Sequence, residues 1–371
     1  MIVLVTGEQG FVAKNLIFFL KQRPDIQIYT FSRKNTISEL SGLLSKTDFV
    51  LHLAGVNRSE DTNEFINSNE ILTQELCNLI TKNKRKIPIL FSSSTQTDLN
   101  SFYGLSKKNA EQSLINFSDK FKNPVYIFKL PNIFGKWCKP NYNSVVSTFC
   151  YNISRNIPIN IHRSEDVITL VYIDDVVEHF VKIIDDYKKE NHISRYQYIN
   201  PSYQITVGDL AKQIYAFKES RFSNILERVG TGLVRALYST YQSYLPKEAF
   251  SYSIKQHNDQ RGTFMEVLKT PDFGQFSCFT ILPKMTRGNH YHHSKTEKFL
   301  VVKGRALFKF LNLDTSDTYE KKVNGSDSEI VNSIPGWAHN IKNIGDEEMI
   351  VMLWSNEIYN SLKPDTYKYE I

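Results

Sequence analysis

The sequence opens with MIVLVTGEQGFVAKNLIFFL, residues 1–20, in which an apolar run leads into Gly7-x-x-Gly10-x-x-Ala13 and then into a helical pattern. A tight glycine turn between a strand and a helix places backbone N–H groups and a helix N-terminus against a pyrophosphate. The turn alone is weak evidence, because ordinary strand-to-helix turns share it and Ala13 replaces the usual third glycine. Its place at the head of a strand–helix series favours a dinucleotide site.

Short apolar runs alternate with helical patterns from residue 1 to about residue 185, which predicts a doubly wound α/β sheet of parallel strands, the Rossmann arrangement. Between about residues 202 and 244 the pattern is mostly helical, and we interpret this stretch as a sugar-binding cap. After it, short strands separated by Gly, Asn, Asp and Pro predict an all-β barrel. The expected domains are therefore residues 1–245 and 246–371.

The composition narrows the class of protein. With 371 residues and 41% hydrophobic residues, the chain has material for two cores. The net charge is +6, but the basic residues are scattered among 39 acidic ones, so we expect no nucleic-acid partner. The four cysteines form no CxxC pair, and no apolar run approaches the roughly 18 residues of a membrane span, so we expect a cytoplasmic protein without membrane insertion.

The end of the second predicted strand bears on the choice of cofactor. This strand, IQIYTFS, ends in Ser32-Arg33-Lys34, where NAD-specific proteins commonly carry an acidic residue for the ribose hydroxyls. Arg33 instead offers a cation to a 2′-phosphate, which favours NADPH. Exposed basic residues after a strand are also common without any ligand.

A candidate catalytic group follows a later strand. Tyr103-Gly-Leu-Ser-Lys107 places a phenol and an ammonium four residues apart, on one face of a helix. A neighbouring ammonium favours the phenolate and lowers the tyrosine pKa, which would make the hydroxyl a proton donor or acceptor near neutral pH. The preceding strand end, Phe91-Ser92-Ser93-Ser94, supplies a hydroxyl for the carbonyl that is reduced.

These motifs together resemble the extended short-chain dehydrogenase/reductase family over the first 240 or so residues. TGxxGF, HLAG, SSS, YGxSK, PNxFG and YIDDVV occur in the family's order and spacing. The resemblance implies that Tyr103 is the acid/base, that Lys107 binds the ribose and tunes Tyr103, that Ser94 contacts the substrate carbonyl, and that Asn132 contacts a nucleotide-sugar. The residues it assigns to the dinucleotide, besides Arg33, Tyr103 and Lys107, are Gly7, Gly10, Phe11, Leu53 and Ala54.

The C-terminal half contains a candidate metal site. In an extended strand residues i and i+2 share a face, so His290 and His292 project together, and Glu297 reaches the same point across a turn. His339, in Pro-Gly-Trp-Ala-His, would add a third imidazole once a barrel closes. An isolated HxH pair is often accidental, but the pattern HxHx₄E…PxxxH predicts a divalent metal held by three histidines and one glutamate.

These two segments resemble the two motifs of the cupin superfamily, which implies the same four ligands. Two further stretches resemble the cupin nucleotide-sugar epimerases: DQRGTFME, which contains Arg261 and Glu266, and RGNH, which ends at His290. This resemblance implies that Arg261 and Glu266 bind substrate. The alternative for Arg261 and Glu266 is a strand-end salt bridge of little energy. Those epimerases use the RGxH histidine as a base without metal, so His290 has two competing roles and the epimerase base is unassigned.

A keto group makes the adjacent C–H acidic, so epimerisation next to C4 must precede reduction at C4. Over its whole length the chain resembles bacterial capsule and O-antigen synthesis enzymes in which a reductase is fused to a cupin. That resemblance implies a homodimer with zinc in the cupin. It also implies a UDP-linked 4-keto-6-deoxy amino sugar as substrate, epimerised at C3 and reduced at C4 by NADPH. The rival hypotheses are a redox-neutral UDP-sugar 4-epimerase or dehydratase, and a non-catalytic NADP(H)-sensing cupin fusion.

Overall fold

The computed structural model describes residues 1–189 and 194–371, which form two compact units. Unit 1 comprises residues 1–214 and 236–245, and unit 2 comprises residues 215–235 and 246–371. Each unit has its own hydrophobic core.

Unit 1 is built on a parallel sheet and a second, smaller sheet. The strands of unit 1 are β1 (Ile2–Thr6), β2 (Gln27–Phe31), β3 (Phe49–His52), β4 (Ile89–Ser94), β5 (Val125–Leu130), β6 (Asn132–Phe134), β7 (Val167–Tyr172), β8 (Tyr196–Gln197) and β9 (Tyr203–Thr206). The main sheet has the order β2-β1-β3-β4-β5-β8, and β6, β7 and β9 form a smaller sheet. All four residues of β3 are buried, as expected for a strand covered by helices on both sides.

Helices connect these strands. They are α1 (Phe11–Leu20), α2 (Ile37–Leu44), α3 (Thr62–Phe65), α4 (Leu72–Lys82), α5 (Phe102–Phe121), α6 (Val145–Ser154), α7 (Ile173–Lys188), α8 (Val207–Ser223) and α9 (Gly232–Ser243). A π-helical turn at Ile66–Ile71 joins α3 to α4. The strand order reverses between β1 and β3, and in doubly wound sheets ligands bind at the carboxyl ends of the strands at such a point. The predicted Rossmann fold is confirmed.

Unit 2 is antiparallel. Its strands are β10 (Gln256–Asp259), β11 (Gly262–Thr270), β12 (Gly274–Ile281), β13 (Thr286–Tyr291), β14 (Glu297–Lys303), β15 (Arg305–Asn312), β16 (Thr318–Asn324), β17 (Ile330–Asn332), β18 (Trp337–Asn343), β19 (Met349–Ser355) and β20 (Tyr367–Lys368). They form two sheets, β10-β11-β12-β19-β14-β17 and β16-β15-β18-β13-β20. Inward residues of both sheets, such as Phe279, Phe299 and Phe308, share one core. The prediction of a cupin barrel is confirmed.

The two units differ from the predicted division at residues 215–235, which belong to unit 2 although the prediction placed them in the first domain. The physical reason is a set of long-range contacts. Asn224 Nδ2 donates to the Glu266 carbonyl at 2.9 Å, the Lys269 N–H donates to the Asn224 carbonyl at 2.7 Å, and Arg228 pairs with Asp272. The helical pattern of this segment carried no information about which core it joins.

The cysteines and the helices bear on the expected surroundings of the protein. All four cysteines, Cys77, Cys138, Cys150 and Cys278, are unpaired thiols in the structure. Within residues 1–189 and 194–371, no helix combines the length and the apolar character needed to cross a bilayer.

Candidate functional site

The glycine turn joins β1 to α1 in a conformation that requires its first glycine. Gly7 has φ +75°, and a Cβ there would lie 2.7 Å from Ala54 Cα. The Gly10 N–H donates to the Gly7 carbonyl at 2.8 Å, and Phe11 is the first residue of α1. The turn therefore packs its backbone directly against the segment that follows β3.

A cavity of about 520 Å³ opens at this turn, which we call the glycine-turn cavity. Of the residues that the sequence predicted for the cofactor, Gly7, Gly10, Arg33, Leu53 and Ala54 line it, whereas Phe11, Tyr103 and Lys107 do not. Gln9, Ser32, Lys34, Asn35, Asn67 and Ser68 add polar groups to its wall. The structure thus brings together three separate sequence motifs around one space.

Two buried polar side chains, His52 and Asn69, lie at the two ends of the Leu53–Val56 segment of this wall. His52 lies with its ring nitrogens 2.8 Å from Thr6 Oγ1 and 2.9 Å from Thr73 Oγ1, and burial lowers its pKa to about 3, so the imidazole is neutral. Asn69 accepts the Val56 N–H at 2.8 Å and donates to the Val56 carbonyl. Asn69 belongs to the π-helical turn and was not identified from the sequence.

Arg33 reaches the cavity wall with its side chain 73% exposed, and its guanidinium donates to Glu64 Oε1 at 2.8 Å. The Ser59 hydroxyl and Arg33 together lower the pKa of Glu64, which keeps this carboxylate charged. The cation that the sequence predicted for a 2′-phosphate therefore has a carboxylate partner, which the sequence did not indicate.

Tyr103 lies in the first turn of α5, which begins where the Ser101 side chain accepts the Gly104 N–H at 3.0 Å. Its hydroxyl is hydrogen-bonded to Ser94 at the end of β4. Burial raises the pKa of Tyr103, and the Ser94 hydrogen bond opposes this only in part. The expected lowering of the Tyr103 pKa by Lys107 is not found: burial raises this pKa, Ser94 alone opposes the rise, and the Lys107 ammonium donates to the Ser92 carbonyl instead.

Lys107 is 4% exposed and directs its ammonium away from solvent. Its Nζ donates to the Ser92 carbonyl at 2.9 Å and lies 4.6 Å from the centre of the Phe91 ring. Burial lowers the pKa of Lys107 to about 8, while the charge of Glu111 raises it. Glu111 is buried one helical turn further along α5 and accepts a hydrogen bond from the Ser93 hydroxyl. The i, i+4, i+8 spacing of Tyr103, Lys107 and Glu111 was the overlooked signal.

Asn132, predicted to contact a nucleotide-sugar, is exposed at the start of β6, and its Nδ2 donates to the Thr169 carbonyl at 3.1 Å.

The four predicted metal ligands converge in unit 2. One ligand atom from each of His290, His292, Glu297 and His339 lies within 4.8 Å of the others. Glu297 Oε2 is 3.2 Å from His292 Nε2 and 3.3 Å from His339 Nε2. Burial opposes ionisation of Glu297, but the neighbouring polar groups, which include Lys295, hold its pKa well below the usual range.

The strand geometry explains this convergence. β13 pairs with β18 so that His290 lies opposite His339, and a bulge at Asn289 shifts the register beside Gly288. Gly288 has φ +100°, and a Cβ there would approach Asn340 Cα to 2.8 Å. Glu297 begins β14 in the other sheet. Both sheets therefore contribute ligands across the barrel interior.

The donor set fits a divalent metal. His290 Nε2 is buried and has no hydrogen-bond partner among the described residues, and burial lowers the His290 pKa to about 4. The Nδ1 of His292 lies 2.6 Å from the Asp365 carbonyl, which can only accept, so this ring donates from Nδ1 and leaves the Nε2 lone pair free. Neutral imidazoles and an ionised carboxylate are the forms that bind metal.

A second cavity, of about 330 Å³, opens beside this cluster, and we call it the barrel cavity. His290, Glu297 and His339 line it, whereas His292 is fully buried behind them. The other polar groups on its wall are Arg261, Glu266, Gln275, Arg287, Lys295, Asn340, Ser355 and Tyr359.

Arg261 and Glu266 line this cavity but do not pair with each other. Arg261 pairs with Asp259 at 2.5 Å, and Glu266 pairs with Lys269 at 2.6 Å. Arg287 also donates to Asp259, at 3.2 Å. Arg261 therefore does form a strand-end salt bridge, as the alternative to substrate binding predicted, and it lines the cavity as well.

Lys295 is a buried cation of the barrel cavity that the sequence did not single out. Its Nζ is 3.3 Å from Glu297 Oε1.

The fold and these two sites define a short-chain dehydrogenase/reductase domain followed by a cupin with a His₃Glu cluster. Comparison with known families agrees: residues 3–197 match the NAD-dependent epimerase/dehydratase family, and residues 257–367 match the polysaccharide biosynthesis C-terminal domain. The chain belongs to the NAD-dependent epimerase/dehydratase family.

Individual relatives extend over the whole chain. A UDP-2-acetamido-2,6-beta-L-arabino-hexul-4-ose reductase from Pseudomonas aeruginosa is 53% identical over 367 residues, which cover 99% of this chain and 98% of that protein. The crystal structure of the capsular polysaccharide assembling protein CapF from Staphylococcus aureus is 40% identical, covers 100% of both chains and superposes with a TM-score of 0.91. The predicted resemblance to reductase–cupin fusions is confirmed.

A UDP-glucuronic acid 4-epimerase from Bacillus cereus, solved with NAD, matches 66% of this chain and 96% of its own. It is 18% identical with a TM-score of 0.56, so it supports the fold of the reductase part alone.

Proposed function

We propose that this enzyme epimerises C3 and then reduces C4 of UDP-2-acetamido-2,6-dideoxy-L-arabino-4-hexulose. The product is UDP-2-acetamido-2,6-dideoxy-L-talose, on the route to UDP-N-acetyl-L-fucosamine for capsule or O-antigen synthesis. The observation that carries the proposal is the full-length match, at 53% identity, to a reductase named for the same hexulose. The reductase site and the barrel cavity supply a place for each of the two reactions.

The reductase chemistry is assigned to the groups around Tyr103. Bound NADPH supplies the hydride that reaches C4 of the sugar. The Tyr103 hydroxyl donates its proton to the C4 oxygen, and the Ser94 hydroxyl holds that oxygen by a hydrogen bond. A raised pKa keeps the Tyr103 phenol protonated, as a proton donor requires. Lys107 binds the ribose, and Asn132 contacts the nucleotide-sugar.

NADPH is assigned over NADH because Arg33 lines the glycine-turn cavity and is largely exposed. A 2′-phosphate offers it a doubly charged partner in competition with Glu64. We expect Arg33→Ala to lower kcat/KM for NADPH by roughly tenfold or more, the loss of one charge-assisted contact, and to change kcat/KM for NADH little. Equal use of the two cofactors by the unmodified enzyme would contradict the assignment.

The metal, assigned as zinc, is held by His290, His292, Glu297 and His339, and Arg261 and Glu266 bind substrate in the same barrel cavity. Held by these four residues, such a metal would tie β13, β14 and β18 together and would supply a positive charge for an oxygen of the substrate. As a ligand, His290 is not available as the base that removes the C3 proton. We assign the metal a structural or substrate-orienting role, because the related cupin epimerases achieve the same proton transfer without metal.

His339→Gln tests this role through zinc content, melting temperature and deuterium exchange at C3. We expect a destabilised, zinc-poor protein with residual exchange. A folded, zinc-free variant with no exchange would instead make the metal essential to the chemistry.

The central experiment measures NADPH oxidation and the mass of the product formed in deuterated water. Proton removal and return at C3 introduces one carbon-bound deuterium from solvent, whereas the hydride at C4 comes from NADPH. We expect one deuterium per product and one NADPH per turnover. Turnover without net NADPH consumption would favour a redox-neutral 4-epimerase or dehydratase, and the absence of any turnover would favour an NADP(H) sensor.

We further propose a homodimer that works in the cytoplasm. The family resemblance supports the dimer, and four unpaired cysteines suit a reducing compartment. Light scattering at micromolar concentration tests the dimer, since a monomeric mass would exclude it.

A further inference from the structure

The segment at residues 365–371 lies alongside β13, the strand that carries His290 and ends one residue before His292. β20 pairs with β13 so that Lys368 lies opposite His290 and Tyr367 opposite Tyr291. The Tyr369 N–H donates to the Asn289 carbonyl at 2.9 Å. None of the motifs in the sequence includes this segment, and the reductase and epimerase assignments do not use it.

Within this segment, Asp365 hydrogen-bonds to the loop between His292 and Glu297. Its carboxylate accepts the backbone N–H groups of His293, Ser294 and Lys295, each at 2.8 Å. It also accepts the Ser294 hydroxyl at 2.9 Å. One carboxylate therefore satisfies three consecutive backbone donors, which fixes the path of the loop between two ligands.

The backbone carbonyl of Asp365 acts on a ligand directly. It accepts a hydrogen bond from His292 Nδ1 at 2.6 Å, and the opposite ring nitrogen lies 3.2 Å from Glu297 Oε2. This bond selects the tautomer with a lone pair on Nε2 and sets the plane of the ring. His292 is fully buried, so water does not replace this partner.

We propose that Asp365 is a positioning residue of the metal site, which holds His292 and the loop leading to Glu297 in the ligating arrangement. The inference rests on the proposed metal site. A carboxylate that merely caps a loop would contribute to stability alone. A positioning residue also determines how tightly and how long the metal is held, because a displaced ligand must be reordered each time the metal binds.

The test compares Asp365→Asn and Asp365→Ala with a matched control, Asp327→Asn. The control residue lies in a turn of unit 2, where its carboxylate accepts the Asn324 backbone N–H at 2.7 Å. Each full-length protein is loaded with zinc. The measurements are zinc affinity by chelator competition and the rate of zinc release to a chromogenic chelator. Circular dichroism and NADPH binding report folding.

For Asp365→Ala we expect zinc affinity to fall about 10- to 100-fold, with faster release, the range typical for the loss of an outer-shell partner. The backbone carbonyl that accepts from His292 remains in this variant, but the loop N–H groups that keep His292 and Glu297 in place lose their acceptor. For Asp365→Asn we expect a decrease of about tenfold, since an amide oxygen still accepts some of the N–H groups while the amide NH₂ opposes the rest. Asp327→Asn should retain wild-type affinity.

Wild-type zinc affinity in folded Asp365→Ala would overturn the proposal. If the alanine variant does not fold, the near-isosteric Asp365→Asn variant tests the proposal instead. An unchanged zinc affinity and an unchanged rate of zinc release in that variant would overturn the proposal equally. A wild-type protein that binds no zinc would refute the proposed metal site itself. That result is distinct from a wild type that binds zinc with no dependence on Asp365.

Discussion

Tyr103 is buried, which raises its pKa and favours its protonated form, although its hydrogen bond to Ser94 acts in the opposite direction. We predict that Tyr103→Phe lowers NADPH oxidation with the keto sugar by about 10²- to 10⁴-fold, because the C4 oxygen loses its proton donor. Deuterium exchange at C3 should continue, since the phenol belongs to unit 1. Stopped assays for NADPH and for exchange are run on the same preparation, and wild-type reduction by the variant would contradict the assignment.

Lys107 and Glu111 form a buried pair of opposite charges on α5. Burial lowers the pKa of Lys107 to about 8, and Glu111 raises it, so removing the carboxylate lowers the pKa further. His52, which faces the same lysine, is neutral with a pKa of about 3 and does not titrate in this range. Wild-type kcat/KM should fall as pH rises through about 8, where Lys107 loses its charge. We predict that Glu111→Gln moves this decline roughly one pH unit lower.

The control for this pH profile is Ser93→Ala, which removes the hydroxyl that donates to Glu111 but retains the carboxylate charge. Its profile should stay near that of the wild type. A Glu111→Gln profile that coincides with the wild type would show that the charge on Lys107 does not limit the reaction.

Glycine is required in the turn between β1 and α1, whereas it is replaceable by a larger residue within α2. Gly7 has φ +75° and a backbone neighbour 2.7 Å from any added Cβ, whereas Gly42, within α2, has no heavy atom within 4 Å of that position. We predict that Gly7→Ala lowers the free energy of unfolding by about 1–3 kcal/mol and weakens NADPH binding. Gly42→Ala should raise it by about 0.5–1 kcal/mol, because alanine favours the helix. Denaturant titrations and NADPH binding measure both variants, and equal effects would refute this interpretation.

The chain contains two cores with separate chemistries, so metal removal should affect one of them selectively. The His₃Glu cluster joins β13, β14 and β18 of unit 2. We predict that chelation lowers the melting temperature of unit 2, while NADPH reduction of a sugar already epimerised at C3 persists. Zinc occupancy should also fall as pH drops through the histidine range, because the ligands must be deprotonated. Calorimetry with and without chelator tests this, and loss of that reduction on chelation would contradict it.

Much of both sites followed from local periodicity. Gly7 and Gly10 lie within one turn, and Tyr103 and Lys107 lie on one face of a helix. His290 and His292 are two residues apart at the end of β13, so local backbone geometry relates each pair. The alternation of strands and helices likewise predicted the parallel sheet, and the short strands predicted the barrel. The burial that raises the Tyr103 pKa, however, depends on what covers α5, which no spacing specifies.

The partners that came from distant parts of the chain could not be identified in this way. Glu64 meets Arg33 across 31 residues, and Asp365 meets His292 across 73. Residues 215–235 group with unit 2 through the contacts of Asn224 and Arg228, although their helical pattern does not distinguish the two units. Such contacts form only when packed elements bring remote segments together. The free energy that stabilises these contacts comes from packing the assembled domains, and no local sequence pattern encodes it.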